Sequence, residues 1–479
     1  MEAEIIVLNN LSMHYFPEPA SKLERNSPTW MLEVLPIQTE RRESMDTGLR
    51  LKYHRLKKKI SLEEVAAGIL SPRELKKIES GLKEPSLAHL EALCKKLEIP
   101  LAAKDNPVGK VLVKNFKNSL LHPQNKGKLM EQYSDIKDHP LLHLNEDIEL
   151  EYEIQQIRYF IITGDLDNAE EKIKQMERFK EFMNQEQFYL IHKYKGNYNY
   201  LLSDYGTALK LYLLAEKIAP DSIMATEIGD LYYSIGISAT QCWETDLAHK
   251  YTDMALKIYQ QEFIPKRIVE CHSNIALTQY QFGNFKAAAE HYKNAYTICQ
   301  KIDNEILKYT TEFNHAYTNF LLQKYEDAIE HILSAMRFIP AEYTSDLLMC
   351  YCLLVKCNYE LENGPDTKRW AKKGLEIIEA KNLNLDTPTN NVFKEAYIEF
   401  MALVYLVNED YEHFERIVIQ NLIPSFENNN NFYEIGYYCG HMGNVYYKLE
   451  KYEKSAKYLF KAKESFKNLM INKKRSVQK

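Results

Sequence analysis

Two groups of side chains in this 479-residue chain have types and spacings suited to molecular recognition. The first is SPRELKKIESG, Ser71 to Gly81. Its S-x-x-E start, the proline at the first helical position and the closing glycine are the signals of one short helix. Only Leu75 and Ile78 need burial, so Arg73, Lys76 and Lys77 are predicted to point outward. Arg73 and Lys77 share a face, and an arginine can bridge O6 and N7 of a guanine in the major groove. Lysines on phosphates position a protein without specifying a sequence. The expected roles are therefore Arg73 on a base edge, Lys77 on a base or phosphate, and Lys76 and Lys83 on phosphates. Ser61 and Ser71, each opening a helix, are expected to offer hydroxyls and N-terminal amides to the backbone.

The second group is a set of amides. Asn274 and Asn314 stand forty residues apart, at equivalent places in an internal repeat. A side-chain amide donates and accepts at once, so a ladder of them can hold an extended peptide whatever its sequence. Lys193 and Asn197, an i, i+4 pair, and Asn444 are the further peptide-contact candidates. No P-loop, nucleophile elbow, zinc-binding helix motif or dinucleotide glycine fingerprint occurs in the chain. The expectation is a protein that is not an enzyme and has no cofactor or metal. The eight cysteines lack paired metal spacing and are expected to be buried thiols of a reducing cytosol. No run of eighteen apolar residues suggests a membrane span, and no secretory signal is visible, so a cytoplasmic location is expected.

These residues need scaffolds. Residues 47–105 carry thirteen Lys and Arg against eight Asp and Glu, a balance of +5 within a chain of net charge -6. A small basic module on an acidic body fits a nucleic-acid contact confined to one end. Helices are predicted over Gly48–Lys58, from Ser61 through Ala67, over Ser71–Ser80, and after a Ser86 cap. Leu49 and Leu56 of the first, and Leu87, Leu90, Leu93 and Leu97 of the fourth, are expected to face inward. Short helices with a tight Gly68-Ile69-Leu70 turn between the second and third describe a helix-turn-helix domain.

From Glu149 onward the chain repeats. Small residues recur where two helices of a pair should cross, at 169, 208, 248, 288, 328 and 367, with spacings of 39, 40, 40, 40 and 39. The unit YKGNYNYLLSDYGTALKLYLLAEKIAP adds Gly196, Tyr205, Tyr212, Ala215 and Pro220, and a final unit centres on Ser455. Phe414 takes the crossing place of a doubtful unit. These marks resemble the tetratricopeptide repeat, whose usual period is about 34. The predicted fold is all-α: a helix-turn-helix domain, then a right-handed superhelix of about six to eight helix pairs with a concave groove. The predicted boundaries are an extension at 1–46, the basic domain at 47–103, a partly helical linker at 104–148 and the repeats at 149–471. Arg41-Arg42 can be the translation of a ribosome-binding sequence two codons before Met45, so Met45 is the expected start and the preceding stretch non-native.

GILSPRELKKIESG followed by PSLAHLEALCKKLEI resembles the Xre-type helix-turn-helix family. With the long-period repeats, the chain resembles the peptide-pheromone receptor regulators of Gram-positive bacteria, the group of PlcR, NprR and Rgg. The resemblance implies a homodimeric transcription regulator on a double-stranded operator, switched by a short re-imported signalling peptide in the groove. It also leaves open an adaptor or phosphatase that binds a response regulator, and a phage switch between lysis and lysogeny. Arg73, Glu74 and Lys76 depart from the serine and tyrosine usual there, so the operator does not carry over.

Overall fold

The computed structural model describes residues 45–477, apart from 103–104, 122–125, 341–342, 383, 385–390 and 429–430. The expectation about the stretch before Met45 lies outside the described residues. The described residues are helical throughout, as predicted, and form two compact units that meet in the sequence at Glu227 and Ile228.

The first unit begins with four short helices, α1 (Thr47–Lys57), α2 (Leu62–Ala66), α3 (Pro72–Glu79) and α4 (Leu87–Leu97). Both predicted capping boxes form. Ser61 Oγ accepts from the Glu64 amide at 3.1 Å, Ser71 Oγ from the Glu74 amide at 3.2 Å, and each glutamate reaches back to the serine amide. Gly68 and Gly81 take the left-handed conformation that their turns require. The small core is Leu51, Val65, Ala66, Leu75, Ile78, Leu93, Cys94 and Leu97. Leu49 and Leu56 are only half-buried, and Leu87 is exposed, so the inward face of α1 runs through Leu51 instead. The reason is a close approach: a Cβ on Gly48 would lie 2.1 Å from the Ile78 carbonyl oxygen. The α1 backbone sits against the end of α3, and Arg55 makes a buried bidentate pair there with Glu79, at 2.7 and 2.8 Å.

The segment after this head was expected as a partly helical linker. It forms α5 (Pro107–Leu121) and α6 (Lys126–Ile136), then a 3₁₀ turn at Pro140–His143. Its apolar face is not loose. Val113, Phe116, Leu120, Leu129 and Ile136 pack with Leu142, Ile148, Tyr152 and Tyr159. The last three belong to α7 (Glu146–Thr163), the first repeat helix. The remaining repeat helices of the first unit are α8 (Leu166–Glu177), α9 (Gln185–Leu201) and α10 (Tyr205–Ile218).

Helix α11 (Ala225–Gln241) carries the boundary between the units. The second unit continues with α12 (Thr245–Gln261), α13 (Pro265–Gln281), α14 (Phe285–Cys299), α15 (Glu305–Leu321) and α16 (Tyr325–Ala335). Then come α17 (Thr344–Glu360), α18 (Gly364–Ala380), α19 (Asn391–Val407), α20 (Tyr411–Ile417), α21 (Ile423–Asn428), α22 (Phe432–Lys448) and α23 (Tyr452–Val477). Counted from α7, these make eight repeat pairs among the described residues, the seventh lengthened by α21. Every expected crossing residue is buried, including Thr367, Phe414 and Ser455. Gly196 shows why: a Cβ there would stand 2.5 Å from the Tyr212 ring. The pair that carries the bulky Phe414 is also the one whose second helix is interrupted, by a π turn at Val418–Leu422.

One regularity was not foreseen. Five residues before each crossing position, the chain turns through the left-handed region: Gly164, Ser203, Trp243, Gly283, Gln323, Glu362, Glu409 and Glu450. Two are glycine and six are not, so six turns hold an L-residue where its Cβ costs about 1–2 kcal/mol. The packing of two helices on each turn offsets that local cost.

Candidate functional site

Helix α3 is held by its caps and by Leu75 and Ile78, which are buried. Arg73, Lys76 and Lys77 are exposed, as expected, and make no ion pair among the described residues. Lys83 does not stand free beside them. Its Nζ lies 2.8 Å from Glu74 Oε1. That contact, with the hydrogen bonds from Ser71, lowers the Glu74 carboxyl to about 2. A phosphate at Lys83 must therefore compete with Glu74. Ser61 and Ser71 use their hydroxyls as helix caps, which leaves the exposed first turns of α2 and α3 as the features they offer to a backbone.

The peptide candidates are placed differently from one another. Lys193 is buried, and its Nζ is 2.6 Å from Glu227 Oε1. Asn197, one turn on, lies with its side chain 2.8 Å from the Tyr212 hydroxyl. The amide orientation that satisfies its neighbours donates to Tyr212 and accepts from Arg158. Asn274 and Asn314 are buried rather than lining an open surface. Asn274 Nδ2 donates to Thr252 Oγ1 at 2.8 Å, and Thr252 is on α12, the second helix of the preceding pair. The position fourteen residues before a crossing thus packs between pairs. Asn274 Oδ1 has no hydrogen-bond partner among the described residues. Asn444 is exposed.

Three first helices of the second unit are buried along most of their length. From Val269 to Thr278, Tyr309 to Leu321 and Leu348 to Asn358, every residue of α13, α15 and α17 is buried. Lys356 Nζ lies 2.5 Å from Glu399 Oε1 on α19 and 2.9 Å from Glu434 Oε2 on α22. Tyr317 on α15 donates to the same Glu434 at 2.8 Å, and Tyr438 donates to Glu399 at 3.0 Å. Lys356 also faces the rings of Tyr437 and Tyr438, at 5.0 and 5.3 Å from their centroids. Burial would lower the Lys356 ammonium, but the two carboxylates outweigh it and the net direction is up. Sequence reading missed this cluster. Tyr317 and Lys356 each stand eleven residues before a crossing position, the place Asn197 holds in its own pair.

It also missed the groups that hold the head. Arg50 Nε donates to Glu146 Oε1 at 2.6 Å, and His54 Nε2 lies 2.7 Å from the same oxygen. Burial pushes the Glu146 carboxyl up, yet His54, its own backbone amide and Arg50 together bring it down to about 2. A depressed carboxylate contributes stability that is fully present above its ordinary value near 4.3 and disappears as pH falls toward 2. Protection of α1 against hydrogen exchange, relative to the intrinsic rate at each pH, should therefore fall between about pH 4.5 and pH 2. In Glu146→Gln exchange should already be faster at neutral pH and keep only the weaker dependence that Glu149 supplies.

All eight cysteines are free thiols, and all but Cys242 are buried. Among the described residues no group of three or more His, Cys, Asp or Glu is arranged to hold a metal ion, and no helix is long and apolar enough to cross a membrane.

The geometry defines a two-part class: a helix-turn-helix head, and an array of tetratricopeptide-like helix pairs. A helix-turn-helix family profile matches residues 51–103. Over 418 residues, 85% of this chain and 100% of the relative, the chain is 24% identical to the transcriptional activator NprA of Geobacillus stearothermophilus. Its fold is similar to the apo form of the quorum sensor NprR from B. thuringiensis, with a TM-score of 0.58 and 18% identity over 74% of this chain and 98% of that one. NprR in complex with its cognate peptide NprX aligns at 0.51, with 18% identity over 74% and 97%. The apo form of RapI, which aligns at 0.60 with 16% identity over 76% and 98%, has the same fold. The resemblance read from the sequence is borne out in both parts, head and array.

Proposed function

We propose that this protein is a cytoplasmic, peptide-switched transcription regulator. Its head binds a double-stranded operator through α3, and its array receives a short signalling peptide. The observation that carries the reading is the basic edge of α3: Arg73, Lys76 and Lys77 stand exposed on a helix-turn-helix. The similarity to NprA over the whole length of that activator, and the fold shared with the NprX-bound NprR, support it. Arg73 reads a base, Lys77 a base or phosphate, and Lys76 and Lys83 phosphates, with the N-termini at Ser61 and Ser71 on the backbone. A homodimer presents two such heads to two half-sites. No catalytic role is assigned.

Lys193, Asn197, Asn274, Asn314 and Asn444 are the proposed peptide contacts. All but Asn444 are buried and engaged within the array, so a peptide that uses them must open it. The peptide shifts the switch only by its differential affinity for the open and closed states. Fluorescence anisotropy of a duplex recovered by selection, titrated with and without short synthetic peptides encoded beside the gene, tests this reading. A change in DNA affinity with one of those peptides supports it. Unchanged affinity with every one of them, alongside capture of a response regulator, makes the array an adaptor instead.

A further inference from the structure

One face of α1 makes no contribution to the core of the head. Arg50, Tyr53, His54 and Lys57 recur at helical spacing, and all four meet two carboxylates on the first turn of α7. Arg50 and His54 share Glu146 Oε1. Tyr53 donates to Glu149 Oε2 at 3.0 Å, Lys57 pairs with Glu149 Oε1, and His143 Nδ1 reaches that oxygen at 2.5 Å. Arg50 also donates to the Leu101 carbonyl at 3.2 Å, which ties down the chain leaving the head. Around this polar seam lie Phe179 and Phe182, with ring centroids 5.4 and 5.5 Å from Tyr53, and the pair Lys52–Glu181. Arg50, Tyr53, Glu146 and Glu149 are buried.

The arrangement is one-sided in a useful way. None of the proposed reading residues takes part in the seam, so the docked head keeps α3 open to solvent. The carboxylates sit where the array begins, and the next repeat is tied to them: Gln187 Nε2 on α9 donates to the Asp147 carbonyl at 3.2 Å. Any movement of α7 carries the two carboxylates, and the head with them. A tethered head would need no such face, since buried charges survive only where they are paired.

We propose that Glu146 and Glu149 are specificity-determining positioning residues: they fix the head on the array and so set the half-site separation the dimer accepts. The proposal rests on the reading of this protein as a DNA-binding homodimer. Two rigidly held heads engage two half-sites together only at the separation their docking dictates, whereas loosely tethered heads tolerate many.

The test uses the full chain and a duplex recovered by selection, with its two half-sites at the selected separation or moved apart by about half a turn, roughly five base pairs. Wild type should prefer the selected separation by about a hundredfold, the scale of a linked second contact. Glu146→Gln with Glu149→Gln should reduce that preference to about twofold, leave affinity for a single half-site unchanged, and speed hydrogen exchange in α1. Lys57→Ala removes one partner from the solvent-facing edge of the seam and should move the preference in the same direction if the double variant does not fold. A variant with fast exchange in α1 that keeps the full preference overturns the positioning role alone. So does a wild type that binds the duplex as a dimer without regard to separation, whereas one that binds as a monomer overturns the homodimer and the positioning role together. A wild type that binds no duplex overturns the DNA reading and this assignment together.

Discussion

Lys356→Met should destabilise the second unit by about 3–5 kcal/mol, the usual loss when one member of a buried ion pair is removed. The ammonium is fully buried and holds two carboxylates, Glu399 and Glu434, that are equally inaccessible to water. Methionine fills the volume of the lysine stem but leaves both carboxylates uncompensated beside Tyr317 and Tyr438. Neutralising those carboxylates in the same chain, with Glu399→Gln and Glu434→Gln, should recover most of the loss, because the cost lies in stranded charge rather than in lost packing. Denaturant unfolding followed by tyrosine fluorescence measures both. A single variant as stable as wild type would mean that the cluster relaxes into contact with water. The cluster also bears on the proposed switching: it ties α15, α17, α19 and α22 together, so an opening that separates these helices breaks it. Peptide affinity measured on Glu434→Gln should therefore rise, since the closed state that competes with the peptide is weakened.

The head offers the second large effect. Arg73→Ala should cost about 1–3 kcal/mol on the selected duplex, roughly five- to 150-fold in affinity, and relax base preference at one position. Lys76→Ala should weaken binding to all duplexes alike and reduce the salt slope by about one. The two residues lie on the same short exposed helix, so the contrast separates base reading from charge. Equal losses with unchanged preference from both would remove the roles assigned to them.

What was legible in the sequence follows the range of the interactions. Ser61 with Glu64, and Ser71 with Glu74, are three residues apart, and both capping boxes formed as read. The crossing residues announced themselves by recurring, because each helix pair needs a small group at its closest approach. Phe414, which broke the pattern, marks a pair whose second helix is interrupted. Longer-range charge pairing was not legible. Glu146 and Glu149 meet α1 across more than ninety residues, and no local periodicity marks such a pairing. The connector reads as a partly helical linker, while its apolar residues are committed to α7. The engagement of Asn274 with Thr252 was not legible for a related reason. When every side of a helix is buried, the spacing of apolar residues no longer tells inside from outside. Leu87 erred the other way: an apolar residue at core spacing that the fold leaves exposed.

The central claim is that an exposed basic helix on a docked head reads duplex sequence. Selection of genomic fragments by the full chain, run in parallel with Arg73→Ala, tests it most directly. The account predicts that wild type enriches fragments sharing a two-part sequence and that the variant enriches them more weakly, with base preference relaxed at one position of each half. No shared sequence with wild type, or the same sequence enriched equally by both proteins, would contradict it.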